Sequence, residues 1–308
     1  MCPFARLRTV VLKPGAALHH SYADHLPKNM THASLFIHSS SVRVFATKEM
    51  PTMITPIPYI DPNRPKPKRR PLKAWRHMQK LISDKEDTAQ VFHIIEALNG
   101  NSTQKDFRRF MASEDGPKLL ERRSFLPDIL DDHAPLKALP IGTVGRTYVD
   151  FMEREGLTAN GLVQESLEQR KHHQHFDDDL HWYVNRLRDT HDMYHILTGY
   201  GRDALGEDAL LGYTHSQHGG MGINFIAFMG ARQIAKEAPR EARVKEVLAE
   251  GRRNGKRAKR IVELDIEAIL DQPLEEVREQ LNIAEPVLYK RALKVFAQYE
   301  QSPQLAAA

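Results

Sequence analysis

The sequence predicts an all-α fold: a multi-helix single domain with a hydrophobic cavity and a metal-binding helix. Three observations point there. From Ala74 onward apolar residues recur at three- and four-residue spacing, the period of helices with one buried face. No convincing strand alternation, hairpin, βαβ unit or internal repeat is visible. Two histidines and an aspartate also crowd into five positions, 191, 192 and 195, of a helical pattern. The 308 residues allow one large or two ordinary domains, and 41% apolar content can still supply a sizeable core.

Taken in order, the first helix carries Trp75, Met78, Leu81 and Ile82 on one face. Val91, Ile94, Ile95 and Leu98 mark a second, stopped by Asn99-Gly100. Residues 104–110 and 118–123 read as short helices separated by Asp115-Gly116-Pro117. Pro127, Pro135 and Pro140 punctuate a connecting stretch. Residues 143–155 are amphipathic, with Val144, Tyr148 and Phe151 aligned. Residues 180–198 form the longest uninterrupted candidate, with Gly199 or Gly201 as its left-handed cap. A further helix starts near Leu205, and 244–250, 261–270 and 274–281 are charged helical segments.

Residues 209–231 contain no Asp, Glu, Lys or Arg. His215, Gln217, His218, Asn224 and five glycines make them a poor membrane span. Their apolar residues, such as Met221, Phe225 and Phe228, are expected in the core, along a hydrophobic tunnel or against a bilayer.

Charge divides the chain. Residues 1–80 hold 14 Lys and Arg against Asp24, Glu49 and Asp61, which leaves 30 basic against 37 acidic residues for the remainder. Residues 1–58 lack a helical or strand period and form a disordered or leader-like extension: a transit peptide, a tail, or a start displaced from Met50 or Met53. Residues 59–73 form a basic, proline-rich linker, and residues 74–300 the helical domain. The stripe of Arg64, Lys66, Lys68, Arg69, Arg70 and Lys73 fits a solvated linker or anionic lipid. Nucleic acid is not expected, because neither aromatic interleaving nor a known binding module accompanies it.

Cys2 is the single cysteine, so an intramolecular disulfide and a Cys-rich metal site are both excluded. Any metal must be held by histidine and carboxylate. With His191 at 0° on a helix, His195 falls at about 40° and Asp192 at about 100°, an arc narrow enough for one divalent ion. The arrangement follows the logic of H-E-x-x-H helices, with an aspartate that could serve as base or ligand. After a glycine turn, the next helix would bring Glu207 back as a fourth ligand. Two histidines and two carboxylates suit zinc first, with iron(II) or manganese(II) as alternatives. An i, i+4 histidine pair alone also fits ordinary packing. His172, His173, His175 and His181 read as a solvated loop, and Asp177, Asp178 and Asp179 as a helix cap with first-turn charges.

His191-Asp192-x-x-His195, eleven intervening residues and Glu207 resemble the signature of the coenzyme Q biosynthesis protein 4 family. The approach Tyr183-Val184-x-Arg186-Leu187-Arg188 is similar to the family's. So are the stretches Leu139-Pro140-x-Gly142-Thr143-Val144-Gly145-Arg146-x-Tyr148-x-x-Phe151 and Leu274-x-x-Val277-Arg278-x-x-Leu281-x-Ile283. The likeness covers about residues 75–290; residues 1–58 have no counterpart in it, and the body departs at many positions.

The resemblance implies ubiquinone biosynthesis, with His191, Asp192, His195 and Glu207 as metal ligands. It also implies oxidative decarboxylation at C1 of a polyprenylated hydroxybenzoate, with Asp192 and Arg188 as catalytic residues. On the helical arc Arg188 lies at about 60° and would pair with the substrate carboxylate or, preferentially, with Asp192. No redox-cofactor motif is visible.

The implied partners are the prenylated aromatic substrate and other ubiquinone biosynthesis proteins, with a homo-oligomer left open. The implied place is peripheral, on the cytoplasmic face of a bacterial inner membrane or alternatively the matrix face of the mitochondrial inner membrane. The rival roles are a non-catalytic lipid-binding scaffold and, last, an unrelated metallohydrolase.

Overall fold

A computed structural model describes residues 57–84, 87, 89–170 and 176–301. Residues 1–56 of the extension and His172, His173 and His175 of the expected loop lie outside the described residues. Among the described residues there are fifteen α-helices and no β-strand. An isolated bridge between Thr143 and Pro273 ties the start of one helix to the approach of another.

α1 (Pro71–Ser83) and α2 (Ala89–Asn99) pack on each other. α1 takes in the last three residues of the expected linker, because proline at the first helical position lacks only an N–H that would have no partner there. Nor is the rest of the linker free. Arg64 makes a two-pronged contact with Asp178, 2.6 Å at both nitrogens, and the Tyr59 N–H donates to Asp179 at 2.6 Å. Burial alone would raise the Asp178 carboxyl, but Arg64 and the N–H groups of Asp61 and His181 hold it down at about 2.

α3 (Ser102–Met111) and α4 (Gly116–Arg122) match the two short helices expected. The proline-punctuated stretch is itself helical, as α5 (Leu126–Asp131) and α6 (His133–Lys137). Pro127 and Pro135 are accommodated because both fall in a first turn, where N–H groups have no intrahelical acceptor. α7 (Val144–Glu155) begins at Thr143, whose side chain accepts from the Arg146 N–H, and ends at Gly156 in the left-handed region. α8 (Ala159–Arg170) was not among the expected helices.

The expected 180–198 helix divides at Thr190 into α9 (Asp179–Asp189) and α10 (His191–Thr198). Thr190 Oγ1 donates back to the Arg186 carbonyl at 2.8 Å, a local bond that competes with the helix ladder. Arg186 in turn donates to the carbonyls of Val262 and Leu264, at 2.8 and 2.5 Å. The segment 261–270 contains two 3₁₀ turns, Ile261–Glu263 and Glu267–Ile269, instead of the helix expected there.

The uncharged segment bends at Gly219-Gly220 between α11 (Ala204–His218) and α12 (Met221–Glu237). No helix is long and apolar enough to cross a membrane among the described residues. α13 (Val244–Arg257) lies hard against α11, where a Cβ at Gly251 or Gly255 would collide with the carbonyls of Ala209 and Tyr213. α14 (Leu274–Gln280) fits its expected span, and α15 (Val287–Gln301) completes the order. The main core gathers Tyr148, Met152, Met193, Leu197, Tyr213 and Val247 from α7, α10, α11 and α13.

Candidate metal centre

α10 has only eight residues, too few to persist as an isolated helix, so its neighbours impose its shape. Its last carbonyls are taken by Arg278 of α14, which donates to Ile196 and Leu197 at 2.9 Å each and places a cation at the helix C-terminus. Gly199 follows at φ +74°, a conformation that suits glycine, and turns the chain toward α11. Asp203 caps α11 by accepting from Leu205 and Gly206 at 3.1 and 3.0 Å. Tyr289 of α15 fixes that corner: its hydroxyl donates to Asp203 and accepts from the Gly201 N–H at 3.0 Å. Glu207 therefore stands in the first turn of α11, facing the start of α10.

The ligand atoms of His191, His195 and Glu207 all lie within 4.8 Å of one another. His195 Nε2 is 3.5 Å from Glu207 Oε1, and the two imidazoles meet edge to face with centroids 5.1 Å apart. His195 Nδ1 sits 2.8 Å from the Tyr200 carbonyl oxygen. A carbonyl only accepts, so Nδ1 carries the hydrogen and Nε2 keeps its lone pair in the neutral ring. Nε2 is buried with no hydrogen-bond partner.

Burial pushes both histidines below their ordinary pKa, against the pull of the Tyr200 carbonyl on His195 and of Glu207 on His191. It pushes Glu207 up, opposed by His191 and Arg202. Phe151 of α7 stacks on His195 at 5.8 Å and 24°, closing the far side of the ring.

These features fit a divalent ion. Two imidazoles, a carboxylate, one bare lone pair and a carbonyl fixing the opposite ring nitrogen are the donors and outer support such sites use. A divalent ion held by these three residues alone would have coordination positions left for water or substrate.

Asp192 stands outside the three-residue set. It is buried on α10, and its charge acts on His191, His195, Glu207 and Tyr148. Arg188 is not Asp192's partner. With the helix broken at Thr190, Arg188 belongs to the last turn of α9 and donates to Asp189 at 2.7 Å and Asn185 at 3.3 Å. His218 faces α10, meeting the Tyr194 hydroxyl at 2.6 Å, whereas His215 contacts the Gly220 carbonyl at 3.1 Å. Asp178 is the expected cap of α9, accepting from the His181 N–H at 2.8 Å. Nothing in the sequence pattern marks the polar end of Tyr148, whose buried hydroxyl has no partner. Its apolar spacing with Val144 and Phe151 identified a core face and nothing more.

A family model described as Coenzyme Q (ubiquinone) biosynthesis protein Coq4 matches residues 77–287. The human protein named ubiquinone biosynthesis protein COQ4 homolog, mitochondrial, is 27% identical over 201 residues, which is 65% of this chain and 73% of that protein. Ubiquinone biosynthesis protein COQ4, mitochondrial, from Pyricularia oryzae is 31% identical over 181 residues, 57% of this chain and 55% of the fungal protein. The crystal structure of a putative ubiquinone biosynthesis protein from Nostoc punctiforme shares the fold at a TM-score of 0.54 and 20% identity, covering 71% of this chain and all of that one. The family match takes in every residue of the centre and the arginine that caps its helix, and the chain belongs to the coenzyme Q (ubiquinone) biosynthesis protein Coq4 family.

Proposed function

We propose that this protein acts in ubiquinone synthesis as a metal-dependent enzyme, catalysing oxidative decarboxylation at C1 of a polyprenylated hydroxybenzoate at a membrane surface. The carrying observation is the bare, buried Nε2 of His195 between His191 and Glu207 in a chain of this family. When bound, a divalent ion would orient the substrate through phenolate and carboxylate oxygens and stabilise charge as CO₂ leaves. Zinc fits the donors first, and iron(II) or manganese(II) next. His191, His195 and Glu207 would hold the ion, while Tyr200 keeps His195 in one tautomer and Phe151 walls the site. The reaction is a two-electron oxidation and zinc is redox-inert, so with zinc in the site the oxidant must be O₂ or a partner enzyme; only iron or manganese could itself take part. Metal analysis of purified protein tests the site: His195→Ala should lose bound zinc, and equal content in variant and wild type would overturn the assignment.

A second role, scaffolding of the biosynthetic complex, is favoured by an exposed apolar face. Leu72 and Trp75 of α1 are 76% and 46% exposed, and Phe228 of α12 is 57% exposed. Trp75 meets Phe225 at 6.4 Å, which joins the two helices into one patch. Lys66, Lys68 and Arg70 are exposed on the approach to α1. Aromatic side chains beside lysine and arginine suit an anionic lipid surface. The relatives' mitochondrial names favour the matrix face of the inner membrane over a bacterial membrane. An Asp192→Asn strain separates the roles: a carboxylated precursor should accumulate if the protein is the enzyme, whereas loss of partner proteins without that precursor would favour the scaffold.

A further inference from the structure

The candidate centre is closed at His195 and open at Glu207. The His195 side chain is 1% exposed and Phe151 stacks on its ring, whereas the Glu207 side chain is 36% exposed. Arg202 stands on the open side. Its Nε lies 3.9 Å from Glu207 Oε1, and 26% of its own side chain is exposed. An anion that reaches the centre beside Glu207 meets this cation there.

Two features separate Arg202 from an ordinary solvated arginine. The residues on either side of it are clamped by one hydroxyl: Tyr289 accepts from the Gly201 N–H at 3.0 Å and donates to Asp203. The guanidinium itself is uncommitted. Its approach to Glu207 is beyond hydrogen-bond reach, and among the described residues no acceptor takes any of its N–H groups. Its charge is felt across the centre, where it opposes protonation of His191 and His195 and favours ionised Glu207. Arg188, the arginine that the sequence offered for the substrate carboxylate, is committed instead to Asp189 and Asn185.

An aromatic carboxylate would bring negative charge to a place where Asp192 and Asp203 already bear on Glu207. A nearby cation offsets that repulsion, and a guanidinium adds a rigid fork of donors matched to two carboxylate oxygens. We propose that Arg202 binds the ring carboxylate of the aromatic substrate and so selects carboxylated rings over neutral ones at the metal centre. The inference rests on the enzymatic reading above and makes Arg202 a specificity-determining residue for it. Such a contact is complete before the carboxylate departs as CO₂, so it acts on substrate affinity and not on the rate of the chemical step.

The test uses the full chain loaded with zinc and two synthetic probes, 3-geranyl-4-hydroxybenzoate and its neutral amide, 3-geranyl-4-hydroxybenzamide, with affinities measured by titration calorimetry. Wild type should prefer the carboxylate. Arg202→Gln should shrink that preference about tenfold through the carboxylate probe alone. The melting temperature should stay unchanged, and zinc affinity should not fall, because a cation beside the site has been removed. Arg202→Glu should reverse the preference toward the amide, a readout that a merely structural arginine would not give. An unaltered preference in folded Arg202→Gln would overturn the assignment. So would lost zinc affinity with both probes weakened alike, which would make Arg202 a support for Glu207. If wild type binds both probes equally, only the assignment of Arg202 fails; if it binds neither, the enzymatic reading fails and the assignment with it.

Discussion

Two buried histidine–carboxylate groups share α10 and α11. In the first, Asp106 accepts from the Tyr183 hydroxyl at 2.6 Å, from His218 Nδ1 at 2.8 Å and from Arg260 at 2.6 Å. The opposite nitrogen of His218 meets the Tyr194 hydroxyl at 2.6 Å, and Gln217 ties that hydroxyl to the Ile261 N–H. In the second, His195 is fixed on one side by Tyr200, while Nε2 on the other has no hydrogen-bond partner and stands 3.5 Å from Glu207 Oε1. Tyr194 and His195 are adjacent residues, yet one ends in a closed network and the other in an open lone pair. Burial would raise Asp106, but His218, Arg260 and Tyr183 more than offset it and hold the carboxyl below its ordinary range; Glu207, less well partnered, is pushed up. The closed group secures the helices against each other, and the open one retains capacity to bind.

The largest test of that contrast is a pair of substitutions. Asp106→Ala strands Arg260 and His218 in the interior and should cost about 3–5 kcal/mol, a fall in Tm of roughly 10 °C by thermal unfolding. Glu207→Gln should leave the stability of metal-free protein unchanged or slightly raised while abolishing tight zinc binding. Equal destabilisation by the two would erase the distinction.

A pH series sharpens it. Asp208, next to Glu207, is buried with one oxygen unmatched, and burial pushes its carboxyl up to about 8 despite Arg252 and the Ala231 N–H. Its folded pKa exceeds the unfolded value, so the folded state holds the extra proton and stability declines as pH rises from about 4 to about 8. Asp208→Asn should therefore raise Tm at pH 8 by a few degrees, with the gap closing toward pH 4. Asp106 has the opposite sign. Its lowered pKa contributes stability that is complete above the ordinary carboxylate range and is lost as pH falls through the folded value, so the cost of Asp106→Asn should shrink in strong acid. A gap for Asp208→Asn that widened in acid would reverse the assignment.

The smallest expected effect is that of chelation. The bonds that position α10 and α11 come from Arg278, Asp203, Tyr200 and Tyr289, all supplied by the protein. Removing bound metal should leave far-UV circular dichroism unchanged and lower Tm only by the binding linkage. Unfolding on chelation would make the site structural and favour the scaffold.

His191, His195 and Glu207 were legible in the sequence because a helical repeat and a glycine turn are local features. The break at Thr190 was not, since a threonine hydroxyl bonded to the carbonyl four residues back is equally compatible with an uninterrupted helix. Arg188 was misplaced by the same error. Arg64 looked like one more charge on a solvated stripe because its partner, Asp178, is distant in sequence. The prolines at 127 and 135 suggested a loop although a first helical turn accommodates them. Tyr148 could be placed on a core face from its spacing, but an unmatched hydroxyl is visible only once α7 is set against α10.

The brevity of α10 also sets the order of assembly. Two turns of helix cannot hold His191 and His195 in register in a nascent chain, and Glu207 arrives only when Asp203 and Tyr289 have closed their corner. If the site binds an ion as proposed, capture would therefore follow folding. On the proposed reading, the ion would then be chosen by a finished site, through its donor set and the metals available to the folded protein, and not by a flexible nascent segment.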